Sequence, residues 1–197
     1  MAGTSLKQPS IRLKKPAAQL AAEFAQLSDF DGVASFLEVT LYQLYHHTHA
    51  GQQYTYVSLP KKYGGFRNIQ APIVGLKMIQ HKLNQVLQAV YAPNSVVHGF
   101  VEDRNVVTNA AAHSPTRYIL NIDLDKFFDT ITFARVRGMF TATPYRKNAV
   151  IASILARICC YQGVLPQGSP SSPVVSNMLL GRMDSQLKLL ARSYKCT

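Results

Sequence analysis

The chain has 197 residues, 47% of them apolar, and no apolar run approaches the ~20 residues that cross a membrane as a helix. Lys and Arg number 21 against 10 Asp and Glu, a formal net charge of +11. This balance suits a polyanionic partner, because neutralised phosphates release condensed counterions. Lys7, Arg12, Lys14 and Lys15 precede no apolar core of a secretory leader. Cys159, Cys160 and Cys196 lack zinc spacing and read as buried or half-buried free thiols in a reducing cytoplasm.

Residues 1–16 read as a flexible basic tail, and Leu20, Phe24 and Leu27 give the first helical face. Turn and cap residues at 28–32 precede a second helix carrying Val33, Phe36, Leu37, Leu41 and Leu44 on one face. His46, His47 and His49 near its end suit a helix C-terminus better than a metal. Residues 54–59 alternate as a strand, Gly64-Gly65 turns, and 66–71 return, so a β-hairpin carries Lys61, Lys62 and Arg67 around its tip. An amphipathic helix over 73–91 ends at Pro93, and a short helix over 105–113 ends at Ser114-Pro115.

Residues 117–124 make the strongest strand signal, with a helix starting near Phe127 or Thr132. Residues 145–159 are helical. A loop rich in Gly, Pro and Ser at 163–172 leads into a last helix over 173–192. The mixture lacks both βαβ alternation and a Gly-rich phosphate loop, which excludes a doubly wound nucleotide-binding sheet.

Asp123 and Asp125 stand at i, i+2 at the end of the 117–124 run, so a strand would put them on one face. Carboxylates at an apolar strand's end are costly unless paired or bound to a hard cation such as Mg²⁺. The structural alternative is a strand-to-helix junction capped by an acid. Asp-x-Asp also serves phosphatases, but these need Gly-Thr where the chain has Lys126-Phe127, and sugar-nucleotide glycosyltransferases, usually in a less apolar loop.

Four segments read together narrow this. They are Leu59-Pro-Lys-Lys-Tyr-Gly-Gly-Phe-Arg-Asn-Ile69 with Pro72; His98-Gly-Phe100 with Arg104 and Asn109-Ala-Ala-Ala-His113; Asn121-Ile-Asp-Leu-Asp-Lys-Phe-Phe-Asp-Thr-Ile131; and Leu165-Pro-Gln-Gly-Ser-Pro-Ser-Ser-Pro-Val-Val-Ser-Asn177. Their order and spacing over residues 54–195 resemble the reverse transcriptases of bacterial retroelements, and the Asn-Ala-x-x-His segment resembles the retron branch rather than group II intron enzymes.

The resemblance implies an α+β fold: right-hand polymerase fingers and partial palm, mostly helical, with a β-hairpin and a small antiparallel sheet. Fingers would span 17–116 and partial palm 117–197. It makes Asp123 the first catalytic aspartate, binding two Mg²⁺ ions together with the Leu124 carbonyl. Lys61, Lys62 and Arg67 would hold the dNTP triphosphate, Phe128 would exclude a ribose 2′-hydroxyl, and Gln167 and Gly168 would contact the nucleotide. Arg104, Asn109 and His113 would contact RNA.

The implied activity is RNA-directed DNA synthesis on a structured noncoding RNA that is both template and primer, passing through an RNA–DNA hybrid, in anti-phage defence alongside an effector protein and without a membrane. The family's Tyr-x-Asp-Asp turn does not occur in the sequence, so this chain alone is expected to be inactive. A non-catalytic RNA-binding module and a group II intron-like enzyme are the alternatives.

Overall fold

The computed structural model describes residues 10–60, 62 and 64–196. The first three helices are α1 (Ala17–Gln26), α2 (Phe30–Phe36) and α3 (Leu41–His49). Strands β1 (Tyr54–Pro60) and β2 (Phe66–Pro72) form an antiparallel hairpin, with Val57 opposite Ile69 and Leu59 opposite Arg67. Helices α4 (Val74–Val90) and α5 (Val106–Ala112) follow. A 3-10 turn over Phe127–Thr130 leads to α6 (Phe133–Thr141), α7 (Ala149–Cys159) and α8 (Ser172–Ser193). The mostly helical α+β character matches the sequence reading.

Local chemistry sets the element boundaries. Asp29 caps α2 by accepting the Gly32 N–H at 2.7 Å, and Asn148 caps α7 by accepting the Ile151 N–H at 2.9 Å. The single helix expected from 33 to 49 is two. Thr40 and Gln43 close a capping box that starts α3 afresh, and Glu38 turns the chain at φ 51°. Apolar faces of α1, α2, α3, α4, α6, α7 and α8 meet in one core around Leu20, Val33, Leu44, Leu83, Phe140 and Leu155. Burying each such side chain contributes roughly 1.5–3 kcal/mol.

Two further expectations are corrected. The tail over 1–16 is not free throughout: Leu13 is buried, and its N–H and C=O both bond the Gln85 side chain at 3.0 Å. Residues 1–9 lie outside the described residues. The 117–124 segment is not a strand, and Leu120 and Ile122 are 84% and 79% exposed. A strand needs a hydrogen-bonded neighbour, and among the described residues the named strands are β1 and β2 alone. The apolar pattern of 117–124 therefore has no partner here.

With few acids available, buried cations are satisfied by carbonyls. Lys147 donates to the Phe24 and Ala25 carbonyls at 2.5 and 2.9 Å and lies 4.6 Å from the Phe24 ring centre. It thereby closes the C-terminus of α1, where a cation also suits the helix dipole. Lys82 donates to the Glu38 carbonyl at 3.0 Å across the break between α2 and α3. Burial lowers the pKa of both lysines.

Burial acts oppositely on the acids of the core. It raises the Cys159 thiol and the Tyr54 hydroxyl, and lifts Cys160 and Tyr145 each to about 12. The folded chain keeps thiol protons that the unfolded chain releases near pH 9.0. The unfolded state then binds fewer protons, so stability falls as pH rises. The two lysines push the other way below their unfolded pKa of 10.5, but four buried acids outweigh two cations that keep carbonyl partners. We expect the urea midpoint to hold to about pH 8 and to fall steadily by about pH 10.5. A flat or rising midpoint over that interval contradicts this balance.

Candidate active site

The loop after α7 is built on small, tightly bonded residues. Tyr161 and Val164 exchange backbone hydrogen bonds at 2.9 and 3.1 Å around Gly163, whose φ of 82° favours glycine. The strip then bonds the segment that follows the 3-10 turn. The Phe133 N–H donates to the Gly163 carbonyl at 2.8 Å, and the Leu165 N–H to the Ile131 carbonyl at 2.9 Å. Ile131 and Leu165 are fully buried beneath these bonds. Ser172 Oγ donates to the Pro166 carbonyl at 2.7 Å, and the Ser169 and Ser171 hydroxyls pair at 3.0 Å. The serines thus satisfy buried groups and seat α8.

Gln167 and Gly168 lie between these anchors and touch the hairpin. The Gln70 N–H of β2 donates to the Gln167 carbonyl at 3.1 Å. A Cβ on Gly168 would lie 2.5 Å from the Gln70 carbonyl oxygen and 2.8 Å from Ile69 Cγ2, and its φ is 125°. Only glycine permits this approach. On the other side of the hairpin's base, the buried Gln80 amide donates to the Tyr54 hydroxyl at 2.7 Å and to the Ile158 carbonyl at 2.8 Å. The hairpin is therefore held by α4, by α7 and by the Gln-Gly loop.

The structure brings some expected site residues together and leaves others apart. Gln167, Gly168 and the β2 backbone meet. Arg67 stands in β2 opposite Leu59, Lys62 is exposed at the hairpin tip, and Lys61 lies outside the described residues. Asp123 and Leu124 lie on an exposed stretch without regular secondary structure, joined to the loop through the 3-10 turn and the Ile131–Leu165 bond. Asp123 has no hydrogen-bond or ion-pair partner among the described residues. Phe128 is half-buried, packs against the core and meets Phe127 edge-on at 5.3 Å.

Arg104 Nη1 donates to the Asn94 and Val97 carbonyls at 2.7 and 2.6 Å, which fixes the loop before α5. Asn109 and His113 line one cavity of about 320 Å³ together with Lys188 and Arg192 of α8. Gln70, Ile69 and Tyr54 were not site candidates in the sequence reading, which placed them only in the hairpin strands. Only the strand alternation of the hairpin pointed toward them.

Asp123 and the Leu124 carbonyl offer hard oxygen donors, the type Mg²⁺ takes. Among the described residues, however, no three His, Cys, Asp or Glu side chains converge into a metal cluster. The donor chemistry fits Mg²⁺, and the number of carboxylates gathered among the described residues does not.

Gly168→Ala tests the contact between loop and hairpin. We expect it to lower the unfolding midpoint, with a loss of about 1–3 kcal/mol from the backbone conformation alone. An unchanged midpoint contradicts the close approach.

Residues 59–196 match the family model described as reverse transcriptase (RNA-dependent DNA polymerase). The chain is 34% identical over 162 residues to the retron Mx65 reverse transcriptase of Myxococcus xanthus, covering 74% of this chain and 38% of that protein. It is 37% identical over 129 residues to the retron Ec86 reverse transcriptase of Escherichia coli, covering 64% and 39% respectively. Against the retron Ec83 reverse transcriptase of Escherichia coli, identity is 26% over 180 residues, covering 85% and 52%. The chain thus spans between about two fifths and one half of the length of these relatives. On this match and these relatives, the chain belongs to the reverse transcriptase family, of the bacterial retron type.

Proposed function

We propose that this chain supplies the fingers and the nucleotide-facing part of the palm of a polymerase that copies a structured noncoding RNA into DNA. The observation that supports this most is the bond from Gln70 to Gln167, which fixes the basic hairpin against the Gln-Gly loop. Lys61, Lys62 and Arg67 belong to this hairpin segment, and in this reading they would supply cations to a dNTP triphosphate. Arg67 offers a planar fork and the lysines point charges. Phosphoryl transfer depends chiefly on positioning and charge neutralisation, so such groups contribute directly. Gln167 can give and accept a hydrogen bond at the base or sugar, and Gly168 lets the backbone come close. The Phe128 ring excludes a ribose 2′-hydroxyl by bulk. Arg104, Asn109 and His113 shape an RNA contact beside α8.

Asp123 and the Leu124 carbonyl would hold part of a magnesium site. The chemistry supplied by bound Mg²⁺ is activation of the primer hydroxyl and neutralisation of phosphate charge. One aspartate cannot balance two divalent ions and a triphosphate, and the sequence lacks Tyr-x-Asp-Asp. The 197-residue chain therefore binds RNA but does not extend a primer. In a longer polypeptide carrying that motif, the enzyme serves a retron in the bacterial cytoplasm, in anti-phage defence with an effector partner. The second reading, an RNA-binding module without chemistry, draws on the lack of a carboxylate cluster among the described residues.

Primer extension with an RNA template and labelled dNTP separates these readings. The 197-residue chain should give no product. A longer polypeptide with Tyr-x-Asp-Asp should extend the primer, and Asp123→Ala should abolish that while RNA affinity stays within about twofold. Synthesis by the short chain, or synthesis surviving Asp123→Ala, contradicts the assignment.

A further inference from the structure

A cavity of about 620 Å³ opens between the end of α3, the first residues of β1 and the end of α7, and the polymerase chemistry above makes no use of it. Ligand sites commonly span ~300–1,000 Å³. Its polar lining comes from Gln53, Gln162, His47 and Arg157, and its aromatic lining from Tyr56 and Tyr161. No acidic residue is among its described lining residues.

Several features fix these groups in advance. Tyr161 packs on the buried Tyr54 ring at 4.3 Å between centres. It stands in the 161–164 turn that reciprocal backbone bonds hold rigid. The Tyr56 hydroxyl donates to Gln162 Oε1 at 3.2 Å, yet Tyr56 remains 56% exposed. His47 Nδ1 meets Gln53 Oε1 at 2.6 Å. A Cβ at Gly75 would collide with the His47 Nε2, so that glycine makes room for the ring. Arg157, in the last turn of α7, is exposed and has no hydrogen-bond or ion-pair partner among the described residues. The helix dipole explains a cation at this end, but it does not explain aromatic faces and amide edges gathered beside it.

Aromatic faces, amide edges and an available guanidinium are what an unpaired nucleotide requires. Bases of single-stranded RNA stack on aromatic rings and bond through their edges, while Arg neutralises phosphate. A duplex keeps its bases stacked inside, so it would leave these groups unused. We propose that this cavity binds one unpaired nucleotide of a single-stranded RNA, with its base against Tyr56 and Tyr161 and its phosphate on Arg157. The choice of RNA as the polymer rests on the polymerase reading, and the site itself lies on the strand leading into the hairpin.

Fluorescence anisotropy of the full chain with a short oligouridylate, and with an abasic oligomer of equal length, tests this. Tyr56→Leu should weaken oligouridylate binding roughly 5- to 100-fold and leave abasic binding within about twofold. Arg157→Gln should weaken both oligomers at least about fivefold, whereas Arg182→Gln, an equal loss of charge elsewhere, should change either by less than about twofold. A 4-thiouridine oligomer should crosslink to the peptide carrying Tyr161, which tests the site even if a variant fails to fold. Pocket variants that bind like the unsubstituted chain, or a crosslink confined to other peptides, overturn the proposal alone. An unsubstituted chain that binds neither oligomer overturns it together with the polymerase reading.

Discussion

One hydrogen bond carries the geometry of the candidate site: the Gln70 N–H of β2 donating to the Gln167 carbonyl. A two-stranded hairpin is marginal alone in water, so its position must come from the body it rests on. The backbone of the Gln-Gly loop supplies that rest, and Gly168 allows it because any side chain there would strike the Gln70 carbonyl. The loop is itself pinned to the segment after Asp123 through Ile131 and Leu165. Three stretches far apart in sequence are therefore coupled by main-chain bonds. Side-chain identity then decides what chemistry the coupled surface performs.

Much of this is legible in the sequence. Helical periodicity located α1, α4, α7 and α8, and the alternation around Gly64-Gly65 located the hairpin. The break after Leu37 was missed because the apolar face runs on without interruption. The Thr40–Gln43 box that makes it carries no hydrophobic signal. The 117–124 segment misled for the opposite reason. Its residues are strong strand formers, but a strand is a relation between two segments, and no described segment pairs with it. Leu13 shows a third limit, since docking by one glutamine side chain, Gln85, leaves no period to read.

The candidate site divides along the same line. The motifs carrying Asp123, Gln167 and Gly168 were readable as ordered segments. The contacts Gly168 makes with Ile69 and Gln70 were not, because they join strand backbone to loop backbone. Charge links fold and function. The chain has 21 Lys and Arg against 10 Asp and Glu, so Lys82 and Lys147 are satisfied by helix-end carbonyls rather than carboxylates. Arg157 stays exposed, with no hydrogen-bond or ion-pair partner among the described residues.

Amide hydrogen exchange at Gln70, followed by NMR, tests the central coupling most directly. The hairpin alone would leave that N–H to solvent if it had no loop to bond. The account predicts strong protection at Gln70, comparable to the buried turns of α4. Exchange at the rate of an unprotected peptide amide would mean that the loop and the hairpin are not joined, and the shared site would not exist.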